Sequence, residues 1–419
     1  MKNLKSLGVL VGGVIAISAI YSATVSNRSF STRIEVEDSE GVRQIVSGDQ
    51  GKFALNQDGL TITASWRGDY TISDNGDDIA ALDRKIEITR EDRGTKMRVV
   101  FEKDGDGVKR SYFLNGEKQA DAEAIRKAGN ELLSEFLGAS GVKAEERVAI
   151  LLRRGGAEAV INEISAMHGD HARQRYAAEL VEQTDLTSEE LRALLDALKT
   201  MESDHDLREA LGAILDNETI AAQDAPMIVK AAARIENDYD LRRLIETIAE
   251  KPMGEDAVSL AVSLLDNIET SHDFRRAAEA LIEQESLTSE NAARLITLAG
   301  NRIDNSYDLR LLLGEMTAYL ETGGAAAAAW TGALSAIDSD HEIRLTLADA
   351  ADEDDIPDDV LLLLIEACEK IDADYDRSLA LEYFAARAKS APDLLAAYEK
   401  AARAIASDNS PPPQPTSST

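Results

Sequence analysis

The chain has 419 residues, of which 77 are acidic and 45 basic, so its formal net charge is −32. A surface this negative repels phosphate backbones, which excludes nucleic acid as a partner. A single cysteine, Cys368, excludes an internal disulfide, and its apolar helical surroundings indicate a buried structural residue rather than a reactive thiol.

The N-terminus has the pattern of a membrane-targeting segment. Lys2 and Lys5 precede an uncharged stretch over residues 7–25, and Arg28 follows it. The stretch is just long enough to span a bilayer, and it also fits the apolar region of a signal peptide. Because sites for cleavage are poorly marked, we expect residues 1–28 to be an uncleaved anchor in the cell envelope, with a cleaved signal peptide as the alternative. In both cases the bulk of the chain lies in the periplasm.

Residues 29–118 have the pattern of a small antiparallel β domain. Apolar side chains alternate with polar ones along two segments, Leu60, Ile62, Ala64 and Trp66, then Met97, Val99 and Phe101. Asp-Gly or Asn-Gly pairs begin at positions 58, 75, 104, 106 and 115. Such pairs favour the tight turns of β-hairpins.

Residues 119–408 are expected to form an α-solenoid of about seven repeats. From about residue 165 to 380, a His or Tyr beside an acidic residue recurs every 33 to 35 positions. We call these residues the His/Tyr column: His171, His205, Tyr239, His272, Tyr307, His341 and Tyr375. A fixed period of this size is typical of stacked helical hairpins, none of which buries its apolar face alone. Residues 120–165 are expected to supply the first helices, one of them stopped by Gly155 and Gly156.

Other features keep the same phase. An N-cap residue precedes the column by two positions, and an acidic residue follows it by one, so each repeat predicts a helix start. An arginine follows by three positions and forms the Arg column: Arg208, Arg242, Arg275, Arg310 and Arg344. Helical spacing predicts three pairs within single helices, Asp204 with Arg208, Asp238 with Arg242 and Asp340 with Arg344. The first and last repeats depart from the pattern, as terminal repeats of a stack do.

The second helix of each hairpin is visible in an apolar stripe, Leu191, Leu194, Leu195 and Leu198. The period matches tetratricopeptide repeats, but their sequence signature is absent, which favours a HEAT-like or divergent solenoid. The predicted fold class is therefore a mostly α, multidomain α+β chain, with the β domain preceding the solenoid. Residues 409–419 are polar and Pro-rich and are predicted to be a disordered tail.

The chain resembles a group of uncharacterised exported bacterial proteins. The motifs that carry this resemblance are Asp58-Gly59, Ser65-Trp66-Arg67-Gly68-Asp69-Tyr70, Arg110-Ser111-Tyr112-Phe113, Glu145-Glu146-Arg147-Val148, Arg154-Gly155-Gly156 and the repeat motif Asn237-Asp238-Tyr239-Asp240. Similar repeats follow the membrane domain of antibiotic-sensor-type metallopeptidases. The resemblance implies an envelope location and a sensing or assembly role, and it implies no particular reaction.

Motifs for metal chemistry are incomplete. His341-Glu342 begins a zinc-peptidase motif, but Leu345 stands where the second histidine ligand is required. His168 and His171 have a ligand-like spacing without a third ligand, which favours a surface turn. The Asp-Gly pairs at 104–107 resemble part of a calcium loop, yet the twelfth position lacks its Glu, so a hairpin turn is expected. We expect no catalytic residue, no metal and no cofactor.

Two functions fit these observations. The first is a non-enzymatic scaffold that binds a protein or peptide partner, with the His/Tyr and Arg columns as its binding edge. The alternative reading of the His/Tyr column, which the sequence favours, is that it covers helix N-termini and packs against the next repeat. The second function is an envelope sensor or enzyme component, with its site where the β domain meets the first helices.

Overall fold

The computed structural model describes residues 33–37, 42–47, 49–57, 59–217, 222–321, 324–403 and 405. The chain divides into two compact units, Met1–Asp206 and Leu207–Thr419, which we call the first and second unit. The predicted fold class is confirmed, because an antiparallel β-sheet precedes a series of helices stacked as in a solenoid. The expected anchor at residues 7–25 and the expected tail at residues 409–419 lie outside the described residues.

The described part of the first unit contains ten strands. They are β1 (Arg33–Glu37), β2 (Val42–Ser47), β3 (Gln50–Gln57), β4 (Leu60–Arg67), β5 (Tyr70–Ile72), β6 (Ile79–Leu82), β7 (Lys85–Asp92), β8 (Thr95–Asp104), β9 (Gly107–Leu114) and β10 (Glu117–Lys118). Eight of these strands form one antiparallel sheet in the order β1-β2-β3-β4-β7-β8-β9-β10, and β5 pairs with β6 in a separate hairpin.

The alternation predicted for β4 is confirmed, since every second side chain from Ile62 to Trp66 is buried. In β8 the three successive residues Val99, Val100 and Phe101 are all buried, so the alternation predicted there is not observed. The Asp-Gly pairs at 104–107 form the hairpin between β8 and β9, as predicted. Asn115 and Gly116, at φ 49° and 88°, make the predicted turn after β9. Arg93 and Gly94 make a similar turn at φ 48° and 81° between β7 and β8. The sequence did not reveal this turn, because Arg is not a residue that favours positive φ.

Helix α1 (Ala122–Ser140) covers the apolar face of the sheet. The ring of Phe136 lies 5.7 Å from that of Phe53 and 5.6 Å from that of Trp66. Leu132 and Leu133 are fully buried in the same cluster. We expected this helix to be among the first of the solenoid, and its apolar face also forms part of the core of the sheet. An apolar stripe shows that a helix face is buried but not which surface buries it.

Three helices complete the first unit: α2 (Ala144–Ala166), α3 (Asp170–Gln183) and α4 (Ser188–Ala197). Helix α2 is interrupted by non-helical backbone angles at Gly155 and Gly156, where a stop was predicted. Helix α2 packs against both α3 and α4. The leucine stripe predicted for α4 and the turn after it is buried.

The helices from residue 204 onward continue the repeats. They are α5 (Asp204–Asp216), α6 (Ala225–Ala232), α7 (Asp238–Ala249), α8 (Glu255–Leu264), α9 (Ser271–Ile282), α10 (Ser289–Arg302), α11 (Ser306–Glu315), α12 (Ala318–Glu321), α13 (Gly324–Ala333), α14 (Asp340–Ala351), α15 (Asp358–Ala367), α16 (Asp374–Phe384) and α17 (Pro392–Arg403). In the second unit, α7, α9, α11, α14 and α16 pack side by side in that order as one layer, and α6, α8, α10, α13, α15 and α17 pack as the other.

Cys368 has an equivalent in other repeats. A short 3₁₀ turn begins at Leu265, at Leu334 and at Cys368 in the second unit, and each of these side chains is fully buried. Cys368 thus fills a position that is otherwise leucine. Burial raises the pKa of its thiol to about 12. The predicted structural role of this cysteine is confirmed.

The two terminal repeats share one substitution. Interior repeats have a buried apolar residue two positions after the His/Tyr column, whereas Arg173 and Arg377 stand there at the two ends and are equally buried. The Arg173 guanidinium donates to the carbonyl of Met167 at 2.6 Å, and that of Arg377 donates to the carbonyl of Ile371 at 2.7 Å. Met167 and Ile371 occupy equivalent positions in their repeats. Both terminal repeats therefore replace the apolar residue with an arginine that donates an equivalent hydrogen bond.

Candidate functional site

The His/Tyr column lies at one structural position. Each of its seven members is the second residue of a helix, in α3, α5, α7, α9, α11, α14 and α16. The N-cap residue before the helix holds this turn in four repeats. Ser203, Asn237, Asn305 and Ser339 each accept a backbone N–H three residues on, at 3.1 to 3.4 Å. Thr270 instead donates its hydroxyl to the carboxylate of Asp273 at 2.9 Å.

The column faces solvent in the second unit. Tyr239 and Tyr307 are each 55 % exposed and Tyr375 is 74 % exposed, and His272 and His341 are exposed as well. In the first unit His171 and His205 are half-buried. The side chains stand at helix N-termini as expected. In the second unit they are exposed, whereas the apolar residue two positions later is buried.

The Arg column joins neighbouring repeats. In every pair the arginine Nε contacts a carboxylate oxygen of the next repeat. This carboxylate belongs to the residue that directly follows that repeat's member of the His/Tyr column. The five pairs and their N···O distances are Arg208–Asp240 at 2.8 Å, Arg242–Asp273 at 2.7 Å, Arg275–Asp308 at 2.8 Å, Arg310–Glu342 at 2.7 Å and Arg344–Asp376 at 2.7 Å. All ten side chains are between 13 and 18 % exposed. The arginines therefore hold the stack together.

The pairs predicted within single helices do not form at Arg242 and Arg344. Their guanidinium groups contact the next repeat, and Arg242 also binds Glu246 at 2.7 Å. Desolvation lowers the pKa of Arg242, but the hydrogen bonds that its guanidinium donates to Glu246 and Asp273 outweigh this effect and raise the pKa above its usual value. Spacing along one helix could not reveal a partner more than thirty residues away.

The carboxylates expected to pair with these arginines have another role. Asp238 accepts the backbone N–H of Thr270 at 2.8 Å, and Asp340 accepts that of Ala373 at 2.8 Å. Ser271 and Ser306 occupy the same position and accept the N–H groups of Asp304 and Asp338 at 3.1 Å. In the first unit Asp170 likewise accepts the N–H of Ser203 at 2.8 Å.

This acceptor column was missed, although the sequence contains its signal. Every member of the His/Tyr column is preceded by Asp or Ser. The acceptor anchors the turn that leads into the next helix, so it fixes the exposed column from one repeat to the next.

A second missed column consists of exposed acids. Three positions before the His/Tyr column, the second unit has Glu236, Glu269, Asp304, Asp338 and Asp372, which we call the outer acids. All five are exposed. Their backbones lie in the turns before the helices, three positions from the aromatic and imidazole residues of the same edge.

The arginines also contact the tyrosine rings. The guanidinium of Arg242 lies 5.0 Å from the ring centre of Tyr239, and that of Arg310 lies 5.4 Å from Tyr307. The last repeat has Ser378 in the arginine position, and its Tyr375 is the most exposed of the three tyrosines. One ring face is thus covered in two of the tyrosines, while the remaining surface stays accessible.

The first unit contains a groove between α2 and α3. Its volume is about 900 Å³, and Lys143, Glu146, Arg175 and Glu179 are among its lining residues. The strand β5 lies beside it, since the backbone N–H of Ile72 donates to the Glu146 carboxylate at 2.8 Å.

Two buried phenols lie next to this groove. Burial raises the pKa of Tyr70 and of Tyr176, so both stay protonated at neutral pH. A general acid or base is most effective when its pKa lies near the working pH, and these phenols are shifted the opposite way.

The structure offers no further chemical centre in the residues it describes. Over these ranges no three His, Cys, Asp or Glu side chains come together as a metal site would require. No described helix combines the length and apolar character needed to cross a membrane.

Comparison with protein-family models, with curated proteins and with solved structures found no match for this chain. The resemblance to exported bacterial repeat proteins stays a prediction. The function has to be inferred from the geometry of the chain itself.

Proposed function

We propose that the chain is a non-enzymatic scaffold that binds a protein or peptide partner along the His/Tyr column of the second unit. One observation carries this proposal. Among the described residues, five large hydrophobic side chains are exposed, and Tyr239, Tyr307 and Tyr375 are three of them. A fourth, Tyr383, accepts a hydrogen bond from Arg344 of the same edge at 3.1 Å. Exposed aromatic residues concentrated at one place are typical of interaction surfaces.

The spacing of the column suits an extended partner. Packed helices lie about 8–10 Å apart, so tyrosines two repeats apart are separated by about 16–20 Å. An extended chain advances about 3.3 Å per residue, so this separation corresponds to about five or six residues. A partner segment would therefore meet one tyrosine with every fifth or sixth side chain.

The charge of the edge favours a basic partner. Residues 207–419 contain 41 acidic and 18 basic residues, and five of the basic residues are the Arg column, already paired with acids. The outer acids lie three positions from the tyrosines of the same edge. A Lys or Arg of the partner would bind both the ring face of a tyrosine and a neighbouring carboxylate.

The location of this function is also a proposal. A single anchor in residues 1–28 would place both units in the periplasm of the cell envelope, and a cleaved signal peptide would release them there. The pattern of Lys2 and Lys5 before the apolar stretch supports export in either case.

A second candidate function uses the groove between α2 and α3. The groove is lined by charged groups of both signs, including Lys143 and Glu146, which favours a small polar ligand over an apolar one. It would make the chain an envelope sensor or a component of an enzyme.

Photo-cross-linking in cells tests the binding edge. A photo-reactive amino acid at position 307 is expected to capture a partner protein, whereas the same residue at position 363 is not. Leu363 is a suitable control because it is also exposed, at 38 %, but lies on α15 in the other layer.

Substitution of the tyrosines completes this test. Changing Tyr239 and Tyr375 to Ala in the chain that carries the photo-reactive residue at position 307 should strongly reduce capture while helicity stays unchanged, because exposed side chains contribute little to stability. Equal capture from positions 307 and 363, or loss of helicity in the double alanine variant, would contradict the proposal.

A further inference from the structure

A concavity at one end of the sheet is lined by four cations. Its volume is about 710 Å³, and it lies where β3, β4 and β7 meet. Lys52, Arg67, Arg84 and Lys85 line it, together with the polar side chain of Ser65. We call it the basic concavity. It belongs to the first unit and does not depend on the helical repeats.

The strand register brings like charges together. Arg67 of β4 lies directly opposite Lys85 of β7. Lys52 of β3 lies opposite Ser65, two positions from Arg67, so it is a diagonal neighbour on the same face. Directly opposed like charges destabilise a sheet, and a third cation beside them increases the repulsion.

The described residues offset part of this repulsion, because Glu102 lies opposite Lys85 and Glu87 lies opposite Ser65 in the strand register. Lys85 binds Glu87 at 2.8 Å, but the same carboxylate also binds Arg98 at 3.2 Å. Lys52, Arg67 and Arg84 have no ion pair within the described part of the chain, and all three are exposed. In a chain with a net charge of −32, the concavity thus brings together three cations that have no ion pair among the described residues.

We propose that the basic concavity binds a phosphate group. Two guanidinium groups and two ammonium groups around a polar hollow match an anion with several oxygens, because arginine donates two parallel hydrogen bonds to such groups. The bound anion would lie between Arg67 and Lys85 and cancel their repulsion. Ser65 would supply a neutral donor to a further oxygen.

The phosphate can come from two sources, a small solute or the head group of an anionic lipid. Strand β1 begins at Arg33, eight residues after the predicted apolar segment ends at Val25. Eight residues span at most about 28 Å, so an anchored chain would keep the sheet near the membrane surface. This proximity favours the lipid.

Lysine footprinting on the full chain tests the proposal. The chain is held in uncharged detergent or in vesicles, treated with an amine-acylating reagent, and acylation is read at each lysine by mass spectrometry. Its arms are sodium chloride, inorganic phosphate and glycerol phosphate at equal ionic strength, and vesicles of phosphatidylcholine with or without phosphatidylglycerol. Lys103 and Lys109 serve as controls, since they are exposed on the same sheet.

Protection of Lys52 and Lys85 by inorganic phosphate or glycerol phosphate, with the control lysines unaffected, would establish a solute site. Protection only in vesicles with phosphatidylglycerol would establish the lipid source. Arg67→Gln should weaken either form of protection about tenfold, because it removes a charged hydrogen-bond donor. Lys103→Gln should leave protection of Lys52 and Lys85 unchanged.

Three results would overturn the proposal: no protection of Lys52 and Lys85 in any arm, equal protection of Lys103 and Lys109, or an Arg67→Gln chain protected as fully as the wild type. None of these readouts involves the His/Tyr column. The proposal for the basic concavity is therefore tested independently of the proposal for the binding edge.

Discussion

Gly51 shows how closely the sheet is packed against its neighbours. It lies opposite Trp66 in the register of β3 and β4, and a Cβ placed on it would fall within the indole ring. The indole in turn contacts Phe136 of α1. The absence of a side chain at this residue is therefore what lets Trp66 reach the core.

Gly51→Ala is expected to destabilise the chain by about 1–3 kcal/mol, the usual effect of overfilling a packed core. Gly212→Ala is the matched control. Gly212 lies inside α5 with open space around its Cα, so alanine there should stabilise the helix by about 0.5–1 kcal/mol. Urea denaturation of both variants measures the two effects, and the same sign for both would contradict this account of Gly51.

The thiol of Cys368 should be inert in the folded chain. With its pKa raised to about 12 by burial, about one thiol in a thousand is ionised at pH 9. An unfolded cysteine at that pH is ionised by roughly half or more. A disulfide reagent at pH 9 should therefore react within minutes in concentrated urea and not in buffer. Rapid reaction in buffer would show that the thiol is accessible.

The turns between successive hairpins depend on one hydrogen-bond acceptor each. Asp238, Ser271, Ser306 and Asp340 all accept backbone N–H groups from the following repeat. Without an acceptor, an N–H group in the turn would lose its partner. Asp and Ser perform the same task at equivalent positions, so the repeats themselves show which substitution is tolerated.

Asp238→Ala is expected to reduce stability by about 1 kcal/mol, since the N–H group of Thr270 loses its acceptor. Asp238→Ser should retain most of that stability, as Ser271 does in the next repeat. Thermal unfolding of the two variants measures the difference. Equal losses would mean that the charge of Asp238, and not hydrogen bonding, is what matters.

The period of the His/Tyr column was enough to predict the repeated helices and the four N-caps that form hydrogen bonds. It did not show how exposed the column is, because a tyrosine such as Tyr239 occurs both in cores and on surfaces. Nor could it predict the partner of Arg242, which depends on how repeats stack. The role of α1 was missed for the same reason, because it is set by contact between distant segments.

At the scale of the whole molecule, most positive charges of the second unit are neutralised by ion pairs, whereas a large excess of negative charge is not. Most arginines of the second unit are paired, while the carboxylates greatly outnumber them and many remain exposed. Such a surface attracts basic partners over distances of about a Debye length and releases them as salt is added.

An extended peptide with three arginines six residues apart should bind the chain, and the same peptide with glutamine in place of arginine should not. Its affinity should fall about tenfold or more between 50 and 500 mM sodium chloride, because exposed charges are screened. Fluorescence anisotropy measures both effects. The Tyr239, Tyr307 and Tyr375 triple alanine variant should bind more weakly at every salt concentration. Affinity independent of salt would show that charge does not select the partner.

The Arg column ends at both extremities of the array. Gln174 and Ser378 stand where the interior repeats have arginine, and in the first unit His171 lies 3.6 Å from Asp206 in place of an arginine. Each interior repeat thus carries an arginine that binds the following repeat and a carboxylate that is available to the preceding one. The interior repeats are therefore interchangeable in their ion pairs. Gene duplication of an interior repeat would lengthen the array with all ion pairs satisfied. Duplication of a terminal repeat would leave a gap in the series, so the array is built to grow from its middle.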